Sequence, residues 1–358
     1  MRLIDQNILF ILRATQHGGT EKVVLELCEA LAPRVNKIAI ASCSKGIDQK
    51  ELEKLGVQHY EIPDIECKKI CNIIRIRKII KTIIKKDKIT IIHTHHRMAA
   101  FYCQLIKSKG LIFINTSHTV FYNKKYLTQF AFSGMKLIAC GRTVKESLVN
   151  FQGIDSQRIK VISNSVKPYN STIIPIKEIT DAINEDYIVA GFIGRLSKEK
   201  GLIHLVDAVK NIPKLKIKFF IVGAGDDEIN IKKRIQKYGI EKKFCFLGYR
   251  NDAQNIAKQL DYIVLPSLQE GLPLVPIEAF SVGKPVIATN IEGTSEIIDN
   301  GVNGLLVPPG NVADLSKAIS SMTKEKCIEF GENAYKKYLA CFSYKVFRNE
   351  YINYYEGL

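Results

Sequence analysis

The stretch Asp261–Asn303, DYIVLPSLQEGLPLVPIEAFSVGKPVIATNIEGTSEIIDNGVN, leaves the chain few ways to fold. Tyr262 to Leu265 is a short apolar run closed by Pro266, the pattern of a buried strand. The loop Pro266-Ser267-Leu268-Gln269-Glu270-Gly271 follows, then a helical segment from about Leu274 to Val282. Pro273 and Pro276 suit a first helical turn, where a missing N–H costs little. Gly283 suits the stop, and Val286 to Ala288 restart a strand. A strand, a glycine-containing turn and a helix N-terminus place free backbone N–H groups and a positive dipole end at the C-terminal edge of a sheet. Phosphorylated ligands bind at that edge in open α/β sheets. Glu270 in the loop and Glu278 on the helix stand eight residues apart. Two carboxylates beside a phosphate would repel it, so the pair is suited to accept hydrogen bonds from hydroxyls of a sugar or a ribose.

The same strand–glycine–helix unit occurs twice more. Tyr187 to Ile193 is an apolar strand, Gly194-Arg195-Leu196-Ser197-Lys198-Glu199-Lys200-Gly201 is its turn, and Leu202 to Lys210 is its helix. Arg195 and Lys200 flank that turn and can neutralise a diphosphate without a metal. Near the start, strand Asn7–Leu12 leads into Arg13 to Thr20 and the amphipathic helix Glu21–Leu31. Gly18 and Gly19 let the main chain approach a ligand, and Thr20 can cap the helix. Gly223-Ala224-Gly225 lacks the third glycine of a dinucleotide fingerprint and is followed by acidic residues, so it reads as a turn and not an NAD site. With 358 residues, the repetition predicts two doubly wound α/β domains.

The charge is uneven. Residues 1–170 hold 28 Lys and Arg against 13 Asp and Glu, a net +15, and the remainder adds only +1. General solubility does not require that asymmetry; a face that meets something anionic does. In Lys68 to Lys88, Ile73, Ile76, Ile80, Ile83 and Ile84 share a helical stripe, while Arg75, Lys78, Lys81 and Lys85 lie off it. The stripe suits packing on a sheet and leaves a basic face for anionic head groups. No recognised nucleic-acid module accompanies it. In Val120 to Phe132 aromatics interleave with Lys124 and Lys125, which fits either a bilayer interface or a helix with its rings in the core. No apolar run reaches the roughly 18 residues that span a bilayer, and Ile8 to Leu12 reads as a first strand and not a signal peptide. Nine cysteines, with no C-x-x-C pair, point to reduced thiols and a cytoplasmic setting.

Six of the seven histidines fall in the first half. His93-Thr94-His95-His96-Arg97 ends the strand Thr90–His93, a place that faces a ligand crevice. Neighbouring strand residues point to opposite faces, so one metal cannot easily take all three imidazoles. His118 ends the next strand, Leu111 to Thr116, and is a second crevice candidate.

Glu270-Gly271-Leu272-Pro273 with Glu278 resembles the E-x7-E motif of retaining glycosyltransferases of family 4, of the bacterial surface-polysaccharide type. Gly194-Arg195 with Lys200-Gly201 matches the fixed positions of that family's G-R-x-x-x-x-K-G, and Lys160 to Val166 is similar to its V-I-P-N-G-V. Ser163 and Ser165 stand where the family has proline and glycine, and Cys140 where it has serine. The resemblance implies a GT-B fold, two Rossmann-like domains facing each other across a cleft. The first would cover residues 1–167 and bind the acceptor, and a linker would span 168–186. The second would cover 187–342 and bind the donor, with a final helix from about 343 to 358 crossing back onto the first. It places Arg195 and Lys200 on the donor diphosphate, Glu270 on the sugar hydroxyls and Glu278 on the ribose. It sets Gly18, Gly19, Gly194, Gly271 and Leu272 along the donor, and main-chain groups near Tyr249 and Arg250 at the base. His95 would stand near the reacting sugar, with His96 as the alternative and His118 toward the acceptor. The implied reaction moves an α-linked sugar from a nucleotide donor, UDP by family habit, to a saccharide or polyprenyl-diphosphate-linked acceptor. It would take place at the inner face of the cell membrane, with no cofactor or metal. A sugar-nucleotide 2-epimerase of related fold and a non-enzymatic basic binding protein are the alternatives.

Overall fold

A computed structural model describes residues 2–13, 19–43, 49–67, 69–106 and 110–358. The chain forms two compact units, Met1–Asn164 with Tyr344–Leu358, and Ser165–Ser343.

The first unit is built on seven parallel strands: β1 (Asn7–Leu12), β2 (Lys37–Ser42), β3 (Gln58–Glu61), β4 (Ile91–Thr94), β5 (Ile112–Ser117), β6 (Lys136–Ala139) and β7 (Ile159–Val161). They lie in the order β3-β2-β1-β4-β5-β6-β7. β1 and β4 are buried at every position, as a sheet covered on both faces requires. Sequence order reverses between β1 and β4, so the crevice of this sheet opens beyond their C-terminal ends. The final helix, Tyr344–Glu356, belongs to this unit, and its Phe347, Tyr351 and Tyr355 join Phe10, Leu27 and Ile40 in one core.

The second unit has six parallel strands: β8 (Ile188–Ile193), β9 (Ile217–Val222), β10 (Phe244–Gly248), β11 (Tyr262–Leu265), β12 (Val286–Thr289) and β13 (Gly304–Val307). Their order is β10-β9-β8-β11-β12-β13, and the reversal falls between β8 and β11. Those two strands feed the Gly194 turn and the Pro266–Glu270 loop, so topology alone brings the two loops together.

Several elements differ from the sequence reading. The first helix runs Gly19–Leu31, so Thr20 sits inside its first turn and is not the cap. Residues 168–186, expected as a linker, include the helix Lys177–Asn184 and are tied to the second unit. Asn255 Oδ1 accepts from the Ile174 amide at 2.9 Å, and Gln259 Oε1 accepts from the Ile176 amide at 2.9 Å. On the helix Ile70–Lys86, Ile76, Ile80 and Ile83 are buried, whereas Ile70 and Ile74 face outward. Among the described residues, Ser163 and Ser165 are not in the left-handed region, so that turn has no need of glycine. None of the described helices is long and apolar enough to cross a membrane.

Candidate functional site

In the second unit, β8 ends in Gly194 and an exposed Arg195, and a single turn, Lys198–Lys200, follows. Gly201 closes that turn at φ +63°, and a Cβ there would stand 2.1 Å from the Pro266 carbonyl oxygen. Only glycine lets the turn lie so close to the loop after β11. The Leu268 amide donates to the Glu199 carbonyl at 2.8 Å, which ties the two loops again. The result is a short ion pair: Lys200 Nζ is 2.6 Å from Glu270 Oε1. The carboxylate is nearly enclosed, its side chain only 10% exposed. The buried Ser267 hydroxyl donates to the same Oε1 at 2.7 Å. Ser267 is itself held, because Thr289 Oγ1 donates to its carbonyl, and Thr294 Oγ1 donates to the carbonyl of Thr289. Both hydrogen bonds, from Lys200 and from Ser267, thus fall on Oε1, which suits Oε2 to meet a ligand hydroxyl.

The other residues that the resemblance sets along a donor lie on neighbouring loops of the same sheet edge. The Gly223 amide donates to the Gly248 carbonyl at 2.8 Å, and the Gly194 amide donates to the Val222 carbonyl at 2.9 Å, so the turns after β8, β9 and β10 are laced together. Tyr249 is half-exposed after β10. Arg250 makes a two-pronged pair with Asp252, at 2.9 and 2.8 Å, which raises its pKa further and commits its guanidinium. A role for Arg250 therefore falls to its main chain. Glu278 is buried on the helix Leu274–Ser281, and Leu272 is buried at its approach. Gly271 lies against Gly293, where an added Cβ would sit 1.9 Å from the Gly271 oxygen.

In the first unit, β4 carries His93 and, just beyond its end, His95 on one face, as the two-residue period of a strand demands. Their rings stack at 4.4 Å, and His95 stacks on His118 at 5.3 Å. His93 is fully buried: Nδ1 is 2.7 Å from the Tyr355 hydroxyl and Nε2 is 2.7 Å from Thr116 Oγ1. His95 Nδ1 is 3.0 Å from His118 Nε2. Burial holds all three neutral: His93 is pushed down to about 3, His118 to about 4 against an opposing hydrogen bond from Asn164, and His95 well below the usual value. His96 caps the helix Arg97–Gln104 through its Nδ1, and its Nε2 is 3.5 Å from Glu66. A cavity of about 340 Å³ opens here, lined by His95, His96, Ser117, His118 and Thr119 among others. Among the described residues no group of three His, Cys, Asp or Glu could hold a metal ion. Gly18 lies outside the described residues, and Gly19 opens the first helix.

Sequence reasoning missed Ser267, Thr289 and Thr294 behind Glu270, and Asn164, Thr116 and Tyr355 behind the histidines. Ser267 had a signal, standing three residues before Glu270 in one loop; Tyr355, 262 residues from His93, had none.

Two doubly wound units, one with a cation and a carboxylate paired at its switch point, define the architecture of the GT-B glycosyltransferases. Residues 17–168 match Glycosyltransferase Family 4 and residues 176–337 match Glycosyl transferases group 1. The chain belongs to this family: it is a GT-B glycosyltransferase with a family 4 first domain and a group 1 second domain. It is 29% identical over 335 residues to an Escherichia coli UDP-Gal:alpha-D-GlcNAc-diphosphoundecaprenol alpha-1,3-galactosyltransferase, covering 87% of this chain and 86% of that one. A glycosyltransferase structure from Rickettsia africae superposes with a TM-score of 0.84 at 24% identity, covering 99% and 98% of the two chains. Anabaena HepE in complex with UDP-glucose gives a TM-score of 0.84 at 20% identity, covering 98% and 100%.

Proposed function

We propose that this enzyme transfers an α-linked sugar, with retention, from a UDP-sugar to a lipid-linked saccharide in surface-polysaccharide assembly. The observation that carries the reading is the Lys200–Glu270 pair, held by Ser267 at the switch point of the second sheet. Lys200 and the exposed Arg195 balance the negative charge that grows on the departing diphosphate as the anomeric C–O bond breaks. These two cations do this without a metal. Glu270 holds sugar hydroxyls, Glu278 holds ribose hydroxyls, and the histidine-lined cavity receives the saccharide side. HepE was solved with UDP-glucose, and the Escherichia coli relative's name specifies a UDP-sugar and a diphosphoundecaprenol-linked acceptor, both of which support this assignment.

A thermal-shift screen of sugar nucleotides tests it. A UDP-sugar at a hundredfold excess over its Kd stabilises the folded chain by about 2.7 kcal/mol. That is a rise in Tm of roughly 5–10 °C for a unit of this size. No response to any sugar nucleotide would refute the donor assignment. Donor epimerised in the absence of acceptor would favour the 2-epimerase reading.

The acceptor's lipid anchor fits the outer surface of the first unit. Ile70 and Ile74 are exposed on the basic helix beside Arg75, Lys78 and Lys81. Tyr126 is 86% exposed, and Tyr122 and Phe130 are half-exposed beside Lys124 and Lys125. Rings left out of the core among lysines suit a cytoplasmic leaflet rich in anionic lipid. Each lysine contributes about 1 kcal/mol at such a surface. Lys81→Ala with Lys85→Ala is therefore expected to weaken sedimentation with phosphatidylglycerol vesicles about thirtyfold and leave donor binding unchanged. Equal sedimentation of variant and wild type would remove this helix from the membrane contact.

A further inference from the structure

We propose that Glu66 is a specificity-determining residue of the first unit's cavity, a carboxylate set by Arg13 and His96 to accept hydrogen bonds from hydroxyls of the acceptor saccharide. The inference rests on the glycosyltransferase reading of that cavity.

Glu66 lies between β3 and the helix Ile70–Lys86, in a loop with little freedom. Asp64 Oδ1 accepts from the Glu66 amide at 3.0 Å, and the Cys67 amide donates to the Asp64 carbonyl at 3.1 Å. Asn72 Nδ2, on the helix, donates to the Asp64 and Cys67 carbonyls, both at 2.9 Å. The side chain is held from two further strand ends. Arg13, just past β1, sets Nη1 2.7 Å from Glu66 Oε2 and Nε 3.3 Å from Asp64 Oδ1. His96, past the end of β4, presents Nε2 3.5 Å from Glu66 Oε1. A backbone group decides which nitrogen of His96 carries the proton. The Met98 amide donates to Nδ1 at 3.2 Å, and an amide N–H can only donate. Neutral His96 therefore has its proton on Nε2, toward the carboxylate. Burial keeps the ring neutral against the pull of Glu66 and Asp64, with Arg13 and Arg97 adding to the effect.

This rigid support serves a side chain that is 45% exposed and lines the cavity of about 340 Å³. Glu66 is the sole carboxylate among the described residues of that lining. The 3.5 Å to His96 is longer than a hydrogen bond, so Oε1 keeps its accepting capacity. Arg13 offsets the negative charge, which favours a neutral O–H over a cation. An ionised phosphate or carboxylate oxygen has no proton to give and is repelled. Met98, Phe121 and Leu127 add apolar wall to the same cavity, the mixture of apolar surface and few placed polar groups that small ligands meet.

Saturation-transfer NMR in the presence of UDP tests this without turnover, with the methyl α-glycosides of glucose, galactose, mannose and N-acetylglucosamine as probes. At least one is expected to bind wild type, and Glu66→Ala to weaken it roughly tenfold, as loss of a hydrogen bond to a charged group does. Deoxy analogues of that glycoside give a readout that a merely structural role would not move. One analogue should bind wild type roughly tenfold more weakly than its parent, whereas Glu66→Ala should bind the two alike. Glu66→Gln keeps the side chain's size and one acceptor oxygen, and should bind the parent better than Glu66→Ala does, which guards against a folding artefact. Equal binding by wild type and Glu66→Ala, an alanine variant that discriminates the analogues as wild type does, or no glycoside bound by wild type overturns the inference. If a UDP-sugar still raises the melting point in that case, this inference alone falls. If no sugar nucleotide binds either, the glycosyltransferase reading of the cavity falls with it.

Discussion

Lys200→Ala is expected to lower kcat about a hundred- to a thousandfold while the protein melts within a few degrees of wild type, as loss of one preorganised electrostatic contact to a transition state does. Lys200 is 24% exposed at the end of a single turn, so no core depends on it. Its Nζ bonds Glu270 Oε1 at 2.6 Å. Substrate diphosphate would add a second, and the shared ammonium would then join leaving group and sugar site. Two consequences separate this from a simple charge effect. Lys200→Arg should recover little, because a planar fork does not reproduce a point charge placed between two oxygens. Losses in Lys200→Ala and Glu270→Gln should combine to less than their sum, because the two side chains touch. Wild-type turnover in Lys200→Ala, or strict additivity of the pair, would remove the lysine from the reaction.

The fold was largely legible because its signals are local. Tyr262 to Leu265 is the strand the apolar run predicts, and Leu202–Lys210 is the helix its periodicity predicts. The Gly194 turn and the Pro266–Gly271 loop lie where β8 and β11 stop. The GT-B assignment needed only that repetition and two motifs. Other features depend on contacts between distant residues. The helix Lys177–Asn184 sits in a stretch read as a linker; it is fixed to the second unit by Asn255 and Gln259, about 80 residues away. Thr20 looked like a cap because the helix start was placed two residues late. The aromatics of Val120 to Phe132 fitted a core or an interface equally, and the structure divides them, with Phe132 buried and Tyr126 exposed. At the candidate site, charge and spacing singled out Lys200 and Glu270, but not that Ser267 and Lys200 share one carboxylate oxygen. His93 and His95 stack because a strand repeats every two residues, which was readable. Their ties to Tyr355 and His118 were not.

Gly293→Ala is expected to cost about 1–3 kcal/mol, the range for overpacking a closed site, and to lower Tm by roughly 3–10 °C. Its larger effect should fall on donor affinity. The new Cβ would stand 1.9 Å from the Gly271 carbonyl oxygen and 3.2 Å from that of Glu270, so backbone must shift, not a flexible side chain. On one side, Gly293 belongs to the short helix Glu292–Ser295, which is anchored through Thr294 to the carbonyls of Thr289 and Ile291. The segment free to yield is therefore Glu270–Gly271, and moving it pulls the carboxylate from Lys200 and Ser267. Gly239→Ala is the control: unlike Gly293, Gly239 sits in the left-handed region, at φ +64°, but a Cβ there meets nothing within 4 Å. It should cost about 1 kcal/mol and leave UDP-sugar binding alone. The comparison is made by calorimetry with a UDP-sugar at matched fractions folded. If both variants bind it as wild type does, contact between Gly293 and the Glu270 loop has no part in holding the donor.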